Sequence, residues 1–149
     1  MALGLVGAVT PAGLEGLYRE LIASLDDQRR VVVVAEDDGE VVGMAHLARC
    51  EAANATHRAE VQRVAVAAEA RGGGVGRALM AAVEEEARRL GVTLLWLTTH
   101  AGTAAEAFYE SVGYARLGVM PNYSRRPDGT LWPGAFFYRE LEPTTPTGE

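Results

Sequence analysis

Only one cysteine, Cys50, occurs in the 149 residues, so no intrachain disulfide can form and no thiolate metal spacing exists. Basic residues are the minority, 14 Lys and Arg against 20 Asp and Glu. The net charge of −6 argues against a nucleic-acid partner, because a phosphate backbone needs a basic face. Long apolar runs are missing as well: nothing reaches the roughly 20 residues that cross a bilayer. The opening MALGLVGAV is uncharged and broken by glycine, unlike a secretory signal. No metal and no membrane partner are therefore expected, and the expected location is the cytoplasm. What remains, 48% hydrophobic and 23% charged residues, suits a single globular domain over residues 1–142. The proline- and threonine-rich residues 143–149 read as a disordered tail.

Glycine, by contrast, is plentiful, and three glycines stand together at Gly72, Gly73 and Gly74. They follow a β-branched run ending at Val66 and precede an amphipathic stretch, so they join a strand to the first turn of a helix. Unpaired N–H groups and the positive dipole end make such a turn a seat for phosphate. Arg71, Gly72, Gly73, Gly74, Val75, Gly76 and Arg77 are the candidate cradle. Two other owners of glycine loops do not fit. A Rossmann site needs Gly-x-Gly-x-x-Gly early in the chain with an acidic residue about 20 positions on, and a Walker loop needs a following Gly-Lys-Ser/Thr.

Around that loop the pattern alternates strands and helices. Residues 3–9 suggest a first strand, and Thr10-Pro11 an N-cap with proline at the first helical position. Leu14, Leu17, Tyr18, Leu21 and Leu25 then predict a helix to about residue 27. Residues 31–36 and 41–49 form a hairpin around Asp37-Asp38-Gly39-Glu40, with Gly43 marking a bulge or a close approach. The polar residues 51–58 read as a loop, and Glu60 opens the next strand. The helix after the glycine loop turns Val75, Leu79, Val83, Ala87 and Leu90 inward. Glu84 and Glu85 lie outward, paired with Arg88 and Arg89, and Gly91 ends the helix. Residues 92–99 predict a buried strand. Thr103 to Glu106 predicts a capping box, opening a helix whose inner face is Ala104, Ala107, Phe108 and Ser111. Residues 114–120 and 134–141 predict two last strands, joined through Pro127-Asp128-Gly129.

The spacing Arg71-x-x-Gly74-x-Gly76 after Val64-Ala65-Val66 resembles the acetyl-CoA loop of the GNAT acyltransferase superfamily, Gln/Arg-x-x-Gly-x-Gly/Ala. A second resemblance lies downstream. The family's Asn-x-x-Ala-x-x-x-Tyr-x-x-x-Gly-Phe is met by Ala105, Tyr109, Gly113 and Tyr114, with Gly102 in the asparagine's place. The resemblance implies an α/β GNAT fold: a mixed, mostly antiparallel central sheet with a central parallel splayed strand pair and helices on both faces. It implies acetyl-CoA as co-substrate, its pyrophosphate on residues 71–77 and its pantetheine arm along Val64, Ala65 and Val66. It also implies Tyr109 near the cofactor sulfur, as general acid to the departing thiolate.

Within the superfamily, residues 57–62, 105–109 and 127–133 resemble the tabtoxin-resistance acetyltransferase branch. That likeness makes Glu60 the general base. The branch's second carboxylate is replaced by Thr98, which excludes a two-carboxylate mechanism; His100, two residues on, is a weaker substitute. The branch also carries two helices before the hairpin where this chain has room for about one, so its acceptor pocket is either more open or closed by a partner subunit in a homodimer. Tyr18, Tyr123 and Trp132 are acceptor-site candidates by location. The expected activity is direct acetyl transfer to a small-molecule amine or hydroxyl. A peptide or protein N-acetyltransferase, an acetyl-CoA-binding sensor without chemistry, and a nucleotide-binding domain are the alternatives.

Overall fold

The computed structural model describes residues 10–24 and 30–143, and for residue 18 and residues 20–24 only the backbone. The elements are α1 (Pro11–Ser24), β1 (Arg30–Asp37), β2 (Glu40–Arg49), β3 (Arg58–Val66), α2 (Val75–Arg89), β4 (Leu94–His100), α3 (Ala104–Ser111), β5 (Ala115–Arg125) and β6 (Leu131–Glu140). The strands form one sheet in the order β1-β2-β3-β4-β6-β5, in which β3 and β4 are parallel and every other pair antiparallel. This is the expected mixed α/β sheet. The first strand expected at 3–9 and the tail beyond residue 143 lie outside the described residues.

Local signals explain most element ends. Thr10 accepts a 3.1 Å hydrogen bond from the Gly13 N–H and caps α1, with Pro11 as first helical residue. Asp38 and Gly39, both left-handed, make the two-residue turn between β1 and β2. At the end of α2, Gly91 adopts φ 78°. There the Val92 N–H reaches the Ala87 carbonyl and the Gly91 N–H that of Arg88, a Schellman motif.

The sheet carries helices on both faces. Leu14 of α1 packs with Val42 and Met44 of β2, whereas Ala45 and Leu47 of β2 pack with Leu79, Met80 and Val83 of α2. Gly43 marks both a bulge and a close approach. The β1–β2 register slips opposite it, and a Cβ there would lie 2.8 Å from Leu79 Cδ1 and 2.9 Å from Val75 Cγ1. The glycine thus lets the first turn of α2 sit directly on the sheet.

Several expectations are corrected. Glu84 faces inward: its carboxylate accepts from Tyr114 Oη at 3.3 Å and from Arg139 at 3.2 Å, so long-range partners override the i, i+4 pairing. On the outer face the ion pairs are i, i+3, Glu85 with Arg88 and Glu86 with Arg89. In α3 the buried residues are Ala105 and Tyr109, one step round from the expected face. The capping box is shifted. Glu106 accepts from the Gly102 N–H at 2.7 Å, while Thr103 donates to the His100 carbonyl at 2.8 Å. β4 buries only Leu95, Leu97 and Thr99, with the alternate residues half-buried. The last two strands run longer than expected, to Arg125 and from Leu131. A bulge that absorbs Pro121 and left-handed Asn122 allows this.

Candidate active site

The parallel pair is short. Arg58, Ala59 and Glu60 face Leu94, Leu95 and Trp96, and pairing then stops, although β3 runs on to Val66 and β4 to His100. The cause is visible in β3. Between Gln62↔His46 and Ala65↔Met44, two residues, Arg63 and Val64, oppose one, and Arg63 takes φ 51°. A bulge bends its strand and increases the twist, so β3 swings away from β4. Glu60 is therefore the last paired residue before a wedge, not the first of its strand.

Two clefts meet at this wedge. One, of about 370 Å³, lies on the α2–α3 side. Val64 and Val66 form its floor, and Arg71, Gly72, Gly74, Val75, Gly76 and Arg77 its rim. Gly72 and Gly74 both hold φ 85°, a conformation that costs a side-chain-bearing residue energy. Gly74 caps α2 without a side-chain hydrogen bond, which leaves the N–H groups of the first turn uncapped. Gly76 is glycine for a packing reason: a Cβ would lie 3.1 Å from Phe108 Cζ. Phe108, with Ala70 and Ala104, completes the lining, and sequence reasoning assigned none of these three to the cofactor region. Gly73 is exposed and off the lining, and Ala65 is buried in the cluster under α1.

The other cleft, of about 330 Å³, is lined by Glu60, Gln62, Arg63, Thr98, Thr99, His100, Tyr123 and Ser124, and again by Val64. Val64 thus belongs to both. Gln62 Nε2 donates to Glu60 Oε1 at 2.7 Å, fixing one carboxylate oxygen. Thr98 and Tyr123 hydroxyls lie 3.5 Å apart. The Tyr123 ring rests on Gly134, where a Cβ would come within 2.7 Å of it. His100 stacks on Trp132 at 4.0 Å, and Arg126 lies 4.2 Å from the same indole centre. Desolvation first, then the Arg126 charge, holds the His100 pKa below the ordinary histidine range. Trp132 backs His100 and donates to the Ala101 carbonyl at 3.2 Å, whereas Tyr123 faces the cleft. The Tyr18 side chain lies outside the described residues.

Tyr109 lines neither cleft. It is 0% exposed, with Phe108, Tyr114 and Phe137 around its ring, and its hydroxyl has no hydrogen-bond partner. Burial pushes its pKa far up, so the group stays an O–H donor. Gly102, in the asparagine's place, sits at φ 79° and gives its N–H to Glu106, so a backbone-to-carboxylate bond anchors the loop. A larger cavity, about 960 Å³, opens at the other end of β3 and β4 beside His57, Trp96, Leu117 and Tyr138, away from the wedge.

Residues 8–114 match the profile of the Acetyltransferase (GNAT) family. The chain belongs to that family. It has the six-stranded mixed sheet of that fold. A curated relative, the [ribosomal protein bS18]-alanine N-acetyltransferase of Escherichia coli, is 40% identical over 57 residues, 38% of each chain. The match therefore spans well under half of that relative. Among solved structures, the ribosomal-protein-alanine N-acetyltransferase of Brucella melitensis superposes with a TM-score of 0.69 at 28% identity, covering 92% of this chain and 99% of that one. A phosphinothricin acetyltransferase from Sinorhizobium meliloti in complex with acetyl-CoA gives 0.73 at 24% identity, over 89% and 74%. At that identity the likeness concerns the fold alone. Among the described residues no helix is long and apolar enough to cross a membrane.

Proposed function

We propose that the chain transfers acetyl from acetyl-CoA directly to the amine, or the hydroxyl, of a small molecule. The observation that carries this reading is the wedge: two clefts, on opposite faces of one sheet, share Val64 at the point where β3 leaves β4. The residues present fit the co-substrate. The uncapped N–H groups of Gly72 to Arg77 and the Arg71 and Arg77 guanidinium groups suit a pyrophosphate. The free main-chain edge of Val64, Ala65 and Val66 suits an amide-containing arm. Bound acetyl-CoA supplies an activated acyl group on a thiol leaving group.

The chain's own groups do the rest. A main-chain N–H on the 64–66 edge polarises the acyl oxygen, as a donor preorganised outside water. Glu60, with one oxygen held by Gln62, takes the proton of the incoming amine directly or through one water. Tyr109 holds its proton at Oη and donates to the departing sulfur. Its unpartnered hydroxyl favours this role, because a buried donor without an acceptor is a cost that a ligand removes.

The likeness to ribosomal-protein-alanine acetyltransferases favours a second reading, a peptide N-terminal amine as acceptor. The motif likeness to the tabtoxin-resistance branch favours the first. A mass-spectrometric screen with acetyl-CoA, free amines and alanine-starting peptides decides. We expect amine-dependent CoA release with an acetylated small product. Release that no amine or hydroxyl raises above the water background leaves only a binding module, and tighter binding of NAD or ATP than of acetyl-CoA overturns the co-substrate.

A further inference from the structure

Glycine occupies most of the described positive-φ positions, and the non-glycine exceptions are Asp38, Asn122 and Arg63. Aspartate and asparagine tolerate the left-handed region because their short side chains bond locally; arginine has no such compensation. Arg63 therefore stands against the preference of its own backbone, at the bulge that opens the wedge. Non-glycine residues held in that region cluster at functional sites. Arg63 follows Gln62 at the bulge and is among the residues that line the acceptor cleft. Among the described residues it forms no ion pair, as is true of several other arginines, Arg71 and Arg77 among them.

One further donor of the same cleft lacks a partner. Ser124 Oγ is buried without a hydrogen bond. A buried hydroxyl is normally satisfied, so this one points to a ligand group that accepts. Glu60 is the one carboxylate among the lining residues, and Gln62 already holds one of its oxygens. The cleft thus offers one carboxylate for an amine, and a cation with a hydroxyl donor that has nothing to bind.

We infer that the acceptor carries a small oxyanion (a carboxylate, phosphonate or sulfonate) on the same molecule as the amine, the oxyanion held by Arg63 and Ser124 while the amine meets Glu60. The inference rests on the acetyl-transfer reading above and names the substrate class of that site.

The test compares kcat/KM within matched pairs: L-amino acids against their α-amides, β-alanine against propylamine, and aminomethylphosphonate and taurine against ethylamine. We expect at least one acidic member to exceed its neutral partner by about 10- to 100-fold, the worth of a charge-assisted hydrogen bond. The three oxyanion arms separate carboxylate from phosphonate and sulfonate. In Arg63→Gln that ratio should fall toward one. Arg63→Gly, which suits the φ of 51°, should abolish the preference equally with a melting temperature no lower than that of the wild type, separating recognition from folding. Neutral amines or alanine-starting peptides acetylated as well as the acidic acceptors overturn the inference and leave acetyl transfer standing. Acidic acceptors preferred equally by both variants overturn the role of Arg63. If no amine is acetylated, the acetyl-transfer reading fails and this inference falls with it.

Discussion

Lowering the pH from about 7.5 to about 5 should destabilise this protein through one buried imidazole. His46 lies on β2 beside Gln62 of β3, is fully buried, and has no hydrogen-bond partner on either ring nitrogen. Desolvation first, then the charges of Arg63 and Arg30, lower its pKa from 6.5 to about 4, with the Gln62 amide offsetting only part of this. The unfolded chain takes up a proton near pH 6.5, whereas the folded one does so only near pH 4. Between those values the unfolded state binds more protons, so stability is intact above about pH 6.5 and is lost as the pH falls toward 4. A tenfold difference in proton affinity between the two states is worth about 1.4 kcal/mol, which integrates to about 2 kcal/mol lost by pH 5 and about 3 kcal/mol by pH 4. For a chain of this length the first figure corresponds to roughly 4–8 °C in Tm. Urea unfolding of the wild type and of His46→Leu across this range isolates the effect, since titrations elsewhere cancel in the difference. The wild type should lose about 2 kcal/mol more than the variant between pH 7.5 and 5. Parallel curves for the two proteins would refute a buried, neutral His46.

Other expectations follow from the same geometry. Gly43→Ala places a Cβ against the stiff Val75 and the Ala65 carbonyl, which lies 3.3 Å away. It should cost about 1–3 kcal/mol and weaken acetyl-CoA binding by moving the first turn of α2, both read by thermal melts with and without the ligand. Tyr109→Phe should lower kcat with the acetyl-CoA Kd largely kept, and Glu60→Gln should lower kcat most below neutral pH, where free amine is scarce; full turnover in both would remove these role assignments. Arg139→Ala strands the inward carboxylate of Glu84 and should cost about 1–3 kcal/mol, less than a fully buried pair because the Arg139 side chain is a third exposed. The Glu84→Gln/Arg139→Ala double variant should recover part of that loss in urea titrations.

Motifs with a local mechanism were the legible part of this chain. Thr10, Asp38-Gly39, the glycine loop and Gly91 each meet a backbone requirement within a few residues, and each performs it where expected. The cleft at the glycine loop was readable for the same reason, since most of its rim is contiguous in sequence. Features set by distant partners were hidden. Glu84 reads as a solvated helix residue until Tyr114 and Arg139 arrive from elsewhere in the chain. Phe108 joins the cleft at the glycine loop because Gly76 gives it room, and neither position suggests this alone. The bulge at Arg63 and Val64 was the costliest omission. It carries no glycine or proline to announce it, yet it ends the β3–β4 pairing and brings the two clefts together.

The central claim is that acetyl-CoA lies in the wedge, with its arm on the edge of β3, and not in the larger cavity at the other end of the sheet. Amide hydrogen exchange with and without acetyl-CoA tests it most directly. Protection should appear in peptides spanning residues 61–66 and 71–77, and peptides around residues 93–96 and 138–141 should be unchanged. Protection confined to the second pair, with the glycine loop and β3 exchanging as in the free protein, would contradict the account.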